Sequence, residues 1–212
     1  MTQVCAIFDL DGTLVDSEVL CNQAFLDLLP ELNESSLSLA RRYRGKKLAA
    51  IIADIELRIR RALPDEFESR YRERVAELFD RGLRPITGVE AMLQATTGPR
   101  CVASSAPRAK IEKALQVTGL AGYFGDQIFS SYEVGSWKPE PQLFLYAASS
   151  MGFSPQRCVV IEDSDVGVQA ALSAGMRVFM YAPDCEERLA PSCTTFSSMD
   201  DLPELLESLF NT

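Results

Sequence analysis

Asp9 and Asp11, two aspartates separated by one residue, follow a short apolar run and come directly before Gly12 and Thr13. Alternate side chains of an extended strand lie on the same side, so both carboxylates could face one ligand. An Asp–Gly pair is also typical of a turn. Which interpretation holds depends on the side chains that the rest of the chain brings to this point.

Polar side chains also follow other apolar runs of the chain. "RCVASS" ends in Ser104 and Ser105, "QIFSS" leads on to Lys138, and "RCVVIED" ends in Glu162 and Asp163. Each has an ordinary explanation, because serines and acids cap helices and a lysine before proline is usually a solvated loop residue. If the runs are parallel strands, however, their carboxyl ends meet at one edge of the sheet, where ligands bind.

Together these residue types have the chemistry of a phosphoryl-transfer site. Several carboxylates repel one another unless a cation joins them, and hard oxygen ligands favour Mg²⁺, which also takes a substrate phosphate oxygen. A lysine offsets the remaining charge, and a hydroxyl with free N–H groups at a helix start suits a phosphate. Asp9 could attack phosphorus and form an aspartyl-phosphate. Asp11 could protonate the leaving oxygen and then take a proton from water.

The elements that must position these residues follow from the apolar pattern. Short apolar runs predict strands at Val4–Phe8, 100–105, 127–131, 157–163 and 176–181. Helical spacing predicts helices at 17–29, 46–62, 67–78, 89–96, 107–117, 139–151 and 164–174, with Ser17 as a helix cap. This alternation predicts an α/β fold with a parallel sheet. No strand pattern interrupts residues 17–80, which therefore look like a helical insertion.

The composition excludes several classes of protein. Of 212 residues, 47% are hydrophobic and 24% charged, as in soluble globular proteins, and no apolar run approaches the roughly 20 residues of a membrane span. A formal charge of −9 argues against nucleic acid as a partner, and no signal peptide opens the chain, so we expect a cytoplasmic protein. The 6 cysteines form no C-x-x-C pair and predict reduced thiols, and histidine is absent.

Basic residues are concentrated in the helical insertion. Residues 41–84 hold 13 of the 21 lysines and arginines against 8 aspartates and glutamates, so this segment carries a net charge of +5 and the remainder −14. One interpretation is a solvated helical face, and the other is a basic surface that faces an anionic ligand.

The chain resembles the haloacid dehalogenase (HAD) superfamily over essentially its whole length. The matching stretches are "DLDGT" at 9–13, Ser104 in "VASS", Lys138 in "WKPEP" and "IEDSDVGVQAALSAGM" at 161–176. The arrangement is similar to the β-phosphoglucomutase-like branch, which carries a helical cap after the first strand. The resemblance implies a Rossmann-like parallel sheet core formed by residues 1–15 and 82–212, with an inserted all-helical cap formed by residues 16–81.

The resemblance also implies a role for each polar residue. Asp9 is the expected nucleophile and Asp11 the expected acid/base. The expected phosphate-binding residues are Ser104, Ser105 and Lys138. Mg²⁺ is the expected cofactor, and its expected ligands are Asp9, Asp163 and the backbone carbonyl of Asp11, with Glu162 assisting.

Differences within the superfamily narrow the activity. Dehalogenases lack the second aspartate, so Asp11 argues against dehalogenation. Mutases of the branch typically carry a cap histidine near the position of Cys21, and this chain has none, which favours a Mg²⁺-dependent phosphatase over a phosphosugar mutase. A non-enzymatic phospho-aspartate switch is a further alternative, which Asp11 and the cap disfavour. Trp137 stands where the family usually has glycine, either as loop packing or as an aromatic wall near the leaving group.

The substrate is expected to depend on the cap. Arg44, Gly45, Lys46 and Lys47 lie in "YRGKK", where cap residues approach the active site in relatives, and these cations could bind a second anionic group. Several stretches, among them "WKPEP", look similar to bacterial sugar-phosphate phosphatases of the 6-phosphogluconate type. We therefore expect a small phosphorylated metabolite, a sugar phosphate or sugar-acid phosphate, as substrate of a monomer or weak dimer.

Overall fold

The structure, a computed structural model, describes residues 3–183 and 193–209. At its centre is a 6-stranded sheet in which all neighbouring strands are parallel. The strands are β1 (Cys5–Phe8), β2 (Arg100–Ser104), β3 (Ile128–Ser130), β4 (Cys158–Glu162), β5 (Arg177–Tyr181) and β6 (Thr194–Phe196). Their order is β3-β2-β1-β4-β5-β6, so β1 lies between β2 and β4. The predicted α/β fold with a parallel sheet is confirmed.

Helices connect the strands. They are α1 (Glu18–Leu28), α2 (Ser36–Tyr43), α3 (Leu48–Ile59), α4 (Phe67–Gly82), α5 (Val89–Ala95), α6 (Arg108–Val117), α7 (Ala121–Phe124), α8 (Ser131–Val134), α9 (Gln142–Ser150), α10 (Asp165–Ser173) and α11 (Leu202–Ser208). The first four, called the helical segment below, follow β1 with no strand among them. No helix within the described ranges is long and apolar enough to span a membrane.

Apolar side chains cover both faces of the sheet. Because side chains alternate along a strand, Ile7 and Phe8 of β1 face opposite sides, and both are buried. Ile7 belongs to a core with residues of α9 and α10. Phe8 belongs to a second core with residues of α5, α6 and α11, and this core continues into the helical segment.

The helical segment joins the sheet through two chain connections that lie side by side. Val15 and Pro85 form an antiparallel bridge, and the N–H of Asp16 donates to the carbonyl of Arg84 at 3.0 Å. Within the segment, the rings of Phe25 in α1 and Tyr71 in α4 stack with centroids 4.2 Å apart.

Some local structure differs from the sequence prediction. Helices α2, α7, α8 and α11 and strand β6 had no predicted counterpart. Strand β6 is a 3-residue strand at the sheet edge, and α2 is an 8-residue helix whose first turn is capped by Ser35. Ser17 precedes α1 as predicted, but its hydroxyl makes no capping hydrogen bond. Reduced thiols are predicted, and Cys5, Cys101 and Cys158 are buried and free, whereas Cys185 lies outside the described residues.

Candidate active site

The carboxyl ends of β2, β1 and β4 lie next to one another and bring polar residues together. Asp9 directly follows β1, while Ser104 and Glu162 are the last residues of the flanking strands. All three side chains are buried. The sheet order therefore places two carboxylates and a hydroxyl at the edge where sequence analysis predicts the site.

Lys138 is part of this buried group rather than a solvated loop residue. Its side chain is 5% exposed, and its ammonium forms a short ion pair with Asp9 and donates to Glu162 Oε1 at 2.7 Å. Burial lowers the pKa of Lys138, but the two carboxylates outweigh burial and hold the pKa above its ordinary value. Lys138 is thus a fixed positive charge beside Asp9.

Negative charge still exceeds positive charge around Asp9. Burial raises the pKa of Asp9 to about 7, an effect that Lys138 opposes and Glu162 increases. Burial, with the neighbouring carboxylates of Glu162 and Asp9, also holds the pKa of Asp163 well above its ordinary value. A divalent cation between Asp9 and Asp163 would relieve this repulsion.

Glu162 is held in place from two sides. Its Oε2 accepts from the N–H of Ser164 at 2.7 Å and from the Ser164 hydroxyl at 2.8 Å, while its Oε1 accepts from Lys138. Ser164, and not Glu162 or Asp163, caps α10 by accepting from the N–H of Gly167. A Cβ at Gly167 would lie 1.9 Å from Glu162 Oε1, so only glycine leaves room for this carboxylate.

Asp11 has partners of its own, distinct from those of Asp9. The ammonium of Lys110 donates to both of its carboxylate oxygens at 2.9 Å, and the Ser17 hydroxyl donates in a short hydrogen bond. Burial acts to raise the pKa of Asp11, but Lys110 and Ser17 outweigh it, so the pKa lies below its ordinary value. The two aspartates therefore have different electrostatic surroundings.

Lys110 is a site residue that sequence reasoning missed. It lies in the first turn of α6, and this turn contains no acidic residue. The helix dipole disfavours a cation at that position. A lysine at this unfavourable position could have indicated from sequence that Lys110 pairs with an acidic residue elsewhere in the chain.

The turn after Asp11 packs closely against Asp163. The Thr13 hydroxyl donates to Asp163 Oδ1 at 3.2 Å, and a Cβ at Gly12 would lie 2.4 Å from Asp163 Oδ2. Gly12 also has a positive φ of 84°. Its lack of a side chain is what allows the Asp163 carboxylate to approach the loop that carries Asp9 and Asp11.

The carboxylates of this site suit Mg²⁺ better than they suit a metal ion whose ligands all come from protein side chains. Within residues 3–183 and 193–209, no group of three or more His, Cys, Asp and Glu side chains is arranged to hold a metal ion. Mg²⁺ typically keeps several waters and takes one or two carboxylates together with a substrate phosphate oxygen. Asp9 and Asp163 suit that smaller set, whereas both oxygens of Glu162 already accept hydrogen bonds from other residues.

Ser104 and Ser105 stand between β2 and α6. The Ser104 oxygen accepts from the N–H of Ala106 at 3.1 Å, which leaves its proton able to donate to a ligand. The Ser130 hydroxyl donates to the carbonyl of Ala106 at 2.6 Å and ties this loop to β3. Ser105 lies at the surface of the adjoining cavity.

A cavity of about 570 Å³ separates this edge of the sheet from the helical segment. From the sheet side it is lined by residues that include Asp11, Ser105, Lys110 and Lys138. From the helical side it is lined by residues that include Cys21, Arg44, Gly45, Lys46 and Lys47. The predicted substrate residues of "YRGKK" therefore share this cavity with Asp11, Ser105 and Lys138.

The cations of "YRGKK" differ in their surroundings. Arg44 is paired with Glu18 at 2.8 Å, whereas Lys46 lies 5.6 Å from the centre of the Tyr43 ring and Lys47 lies 5.1 Å from the Trp137 ring. The two lysines are thus better placed than Arg44 to receive a negatively charged group of a ligand.

Gly45 and Cys21 mark how closely the helical segment approaches the site. A Cβ at Gly45 would lie 3.0 Å from Val166 at the start of α10, and Gly45 has a positive φ of 71°. Cys21 lines the cavity beside Lys110, and burial raises the pKa of its thiol against the opposing effect of that ammonium. Cys21 therefore faces the cavity rather than only packing within α1.

Comparison with known proteins decides the family. Residues 4–175 match the family model of the haloacid dehalogenase-like hydrolases. The chain belongs to this family. This membership confirms the family that the sequence motifs predict, and with it the Rossmann-like fold of the core.

Individual relatives of this hydrolase cover between 80% and 98% of its length. It is 37% identical over 211 residues to the 6-phosphogluconate phosphatase of Escherichia coli K12, a match that covers 97% of this chain and 96% of that protein. It is 32% identical over 174 residues to the fructose-1-phosphate phosphatase of the same organism, covering 80% and 92%. A haloacid dehalogenase-like protein of unknown function from Agrobacterium tumefaciens has a TM-score of 0.82 at 31% identity, covering 98% and 99%.

Proposed function

We propose that this hydrolase is a Mg²⁺-dependent phosphatase of small phosphorylated metabolites, with Asp9 as the nucleophile. The observation that carries the proposal is the position of Asp9 at the end of the central strand, in contact with Lys138 and beside the buried Glu162. The Asp9 carboxylate attacks phosphorus, the ester oxygen leaves, and an aspartyl-phosphate remains. Water then attacks that phosphorus and regenerates Asp9.

The phosphate is bound by groups that are positively charged or that donate hydrogen bonds. Lys138 neutralises charge on the transferring phosphoryl group, and Ser104 donates its hydroxyl proton to a phosphate oxygen. Ser105 and the N–H groups at the start of α6 add further donors. Lys138 is fixed before substrate arrives, because its ammonium already donates to Glu162 at 2.7 Å.

Asp11 moves the protons. It protonates the leaving oxygen in the first half-reaction and accepts a proton from water in the second. To do so it must exchange its contacts with Lys110 and Ser17 for contacts with the substrate. Asp9 pairs with Lys138 and Asp11 with Lys110, so Asp9 can attack phosphorus while Asp11 carries protons.

We assign the Mg²⁺ site to Asp9, Asp163 and the backbone carbonyl of Asp11, with Glu162 supporting through Lys138 and Ser164. When bound, Mg²⁺ neutralises charge on the phosphate oxygens. Asp163 is fixed for this role by the Thr13 hydroxyl at 3.2 Å.

We further propose that residues 16–81 form a mobile cap over a core of residues 1–15 and 82–212, and that the cap selects the substrate. Lys46 and Lys47 face the cavity and suit a second anionic group, such as the carboxylate of a sugar acid. The relative named 6-phosphogluconate phosphatase supports a sugar-acid phosphate. 6-Phosphogluconate is therefore the first substrate to test, with fructose 1-phosphate as the neutral comparison.

A phosphosugar mutase is the second candidate, because Cys21 and Lys110 line the cavity where a mutase needs a proton-transfer group. The chain has no histidine for that task, and the burial-raised pKa of Cys21 makes this thiol a poor substitute at neutral pH. Phosphatase activity is the better supported of the two.

The test is a panel of phosphorylated metabolites with and without Mg²⁺, assayed for released phosphate. We expect turnover that requires Mg²⁺, prefers 6-phosphogluconate and disappears in Asp9→Asn. Isomer formation without net phosphate would identify a mutase instead, and a single-turnover burst would identify a phospho-aspartate switch. For the substrate, equal rates on 6-phosphogluconate and neutral sugar phosphates in wild type and Lys46→Ala would contradict the carboxylate assignment.

A further inference from the structure

Trp137, the chain's only tryptophan, immediately precedes Lys138 and lies at the junction of the sheet and the helical segment. Its ring meets the ring of Tyr132 edge to face, with centroids 5.4 Å apart and an interplanar angle of 79°. We call these two rings the aromatic platform. Both belong to the part of the chain between β3 and α9, on the sheet side of the cavity.

Two cations of the helical segment lie on this platform. The ammonium of Lys47, just before α3, lies 5.1 Å from the Trp137 ring centre. The guanidinium of Arg72, in α4, lies 5.3 Å from the Tyr132 ring centre and donates to the Tyr132 hydroxyl at 2.9 Å. Each ring of the platform thus contacts one cation, and the two cations come from different parts of the helical segment.

We propose that the aromatic platform is the docking surface for the cap, and that Trp137 is a positioning residue which couples docking to the placement of Lys138. The inference rests on the proposed phosphatase function and goes beyond it. Lys47 docking on the indole fixes the residue next to the one that holds Asp9 and Glu162.

The platform is attached to the sheet firmly enough to transmit this effect. The N–H of Tyr132 donates to the hydroxyl of Ser130 at 3.1 Å, and Ser130 pairs with Ser104 across β3 and β2. On the other side of the tryptophan, the N–H of Glu140 donates to the Trp137 carbonyl at 3.0 Å. Between these anchors, the indole and its contacts decide the path of the backbone into Lys138.

A positioning role for Trp137 and a role as a pocket wall that only contacts substrate predict different kinetics. If Trp137 positions Lys138, its loss weakens an interaction with the transferring phosphoryl group and lowers kcat. If Trp137 merely lines the pocket, its loss raises KM and leaves kcat unchanged. A cation–π contact of this kind changes an equilibrium by about two- to thirtyfold.

The kinetic test uses p-nitrophenyl phosphate with Mg²⁺, because this substrate has no second anionic group for Lys47 to bind. We expect kcat to fall about three- to thirtyfold in Trp137→Leu and in Lys47→Met, and to be largely kept in Trp137→Phe and Lys47→Arg. The double variant Lys47→Met/Trp137→Leu should be no slower than the slower single variant. Unchanged kcat with raised KM, or additive losses in the double variant, would overturn the proposal.

Arg42→Met is the matched control. Its guanidinium lies 5.9 Å from the Tyr43 ring and pairs with Asp54 at 3.0 Å, so it makes a comparable cation–aromatic contact entirely inside the helical segment. We expect it to leave kcat unchanged. A loss equal to that of Lys47→Met would mean that removing any such cation perturbs the segment, which would contradict a specific platform.

A second measurement does not depend on activity. Because Trp137 is the only tryptophan, acrylamide quenching of the protein's fluorescence reports its exposure alone. Arg72→Ala removes a contact with Tyr132, not with Trp137, yet we expect it to raise the quenching constant about twofold by undocking the cap. Arg42→Ala should leave it unchanged. Quenching that is unaffected by Arg72→Ala would overturn the docking claim, whereas an inactive wild type would overturn the phosphatase proposal and leave this measurement interpretable.

Discussion

At the scale of single residues, charge balance decides the character of the site. Lys138 is almost completely buried between Asp9 and Glu162, whereas Lys110 and Asp11 form a pair that is only partly buried. Each ammonium compensates the negative charge of the carboxylates beside it. Pairing therefore offsets the cost of burying these charges, most of all for Lys138, and holds the side chains in place.

The first prediction concerns Lys138→Met. Removing this cation leaves Asp9 and Glu162 facing each other without compensation, so the free energy of unfolding should fall by about 3–5 kcal/mol without Mg²⁺. Lys113→Met is the control, because its ion pair with Asp80 is partly exposed and is worth about 0–1 kcal/mol. Urea denaturation measures the free energy of unfolding of both variants. Equal decreases would show that Lys138 stabilises the protein no more than a partly exposed ion pair does.

Residue types that sit at strand ends could be predicted from sequence, but their partners could not. Asp9, Ser104 and Glu162 follow apolar runs, so topology alone brings them together. Lys110 and Asp11 are 99 residues apart, and their contact depends on the rotation of α6 about its own axis. The contact of Lys47 with Trp137 likewise depends on how the helical segment sits on the sheet.

At the scale of elements, α10 shows how a helix start shapes the site. Ser164 caps the helix and also donates to Glu162, so one residue fixes both the helix and the carboxylate. The absence of a side chain at Gly167 creates the space that Glu162 occupies. The first turn of α10 therefore determines the orientation of the Glu162 carboxylate.

Gly167→Ala tests this arrangement. Its Cβ would fall 1.9 Å from Glu162 Oε1, so we expect about 1–3 kcal/mol of destabilisation and a loss of phosphatase activity as the carboxylate is displaced. Gly122→Ala in α7 is the control, since nothing lies within 4 Å of its added Cβ. Thermal unfolding should show the control unchanged or slightly more stable. A Gly167→Ala variant of normal stability and activity would show that Glu162 is not held in this way.

The elements themselves were predictable to different degrees. Central strands such as β1 and β4 are continuous apolar runs, and β1 is buried along its whole length. Helix α2 is short and polar, and β6 pairs with β5 alone at the edge of the sheet. Edge and connecting elements carry a weaker apolar pattern, which is why they escaped prediction.

At the scale of the whole molecule, charge is unevenly distributed along the chain. Residues 41–84 carry a net charge of +5, and the remainder carries −14. Much of that positive charge lies in ion pairs, such as Arg42 with Asp54 and Arg74 with Asp27. Both sequence interpretations therefore apply: most of the basic surface is a solvated helical face, and Lys46 and Lys47 face the cavity.

Metal removal tests the balance of the whole site. Treatment with EDTA should abolish turnover and leave the circular dichroism spectrum unchanged, because Lys138 still pairs with Asp9 and Glu162 and Lys110 still pairs with Asp11. Readdition of Mg²⁺ should restore activity and raise Tm, since a ligand that binds only the folded state stabilises it. Asp163→Asn should need a higher Mg²⁺ concentration for both effects. Full activity in EDTA would refute the metal assignment.

In the proposed mechanism, Asp9 becomes phosphorylated and Asp11 then promotes hydrolysis of the aspartyl-phosphate. The most direct measurement is acid quenching of Asp11→Asn during reaction with p-nitrophenyl phosphate, followed by mass spectrometry of its peptides. This leaving group departs without a proton donor, so the first step proceeds while the second is slowed. We predict one phosphoryl group on the peptide that contains Asp9 in Asp11→Asn, and no phosphoryl group on that peptide in the double variant Asp9→Asn/Asp11→Asn. Release of p-nitrophenol with no phosphorylated peptide, or with the phosphoryl group on another residue, would contradict it.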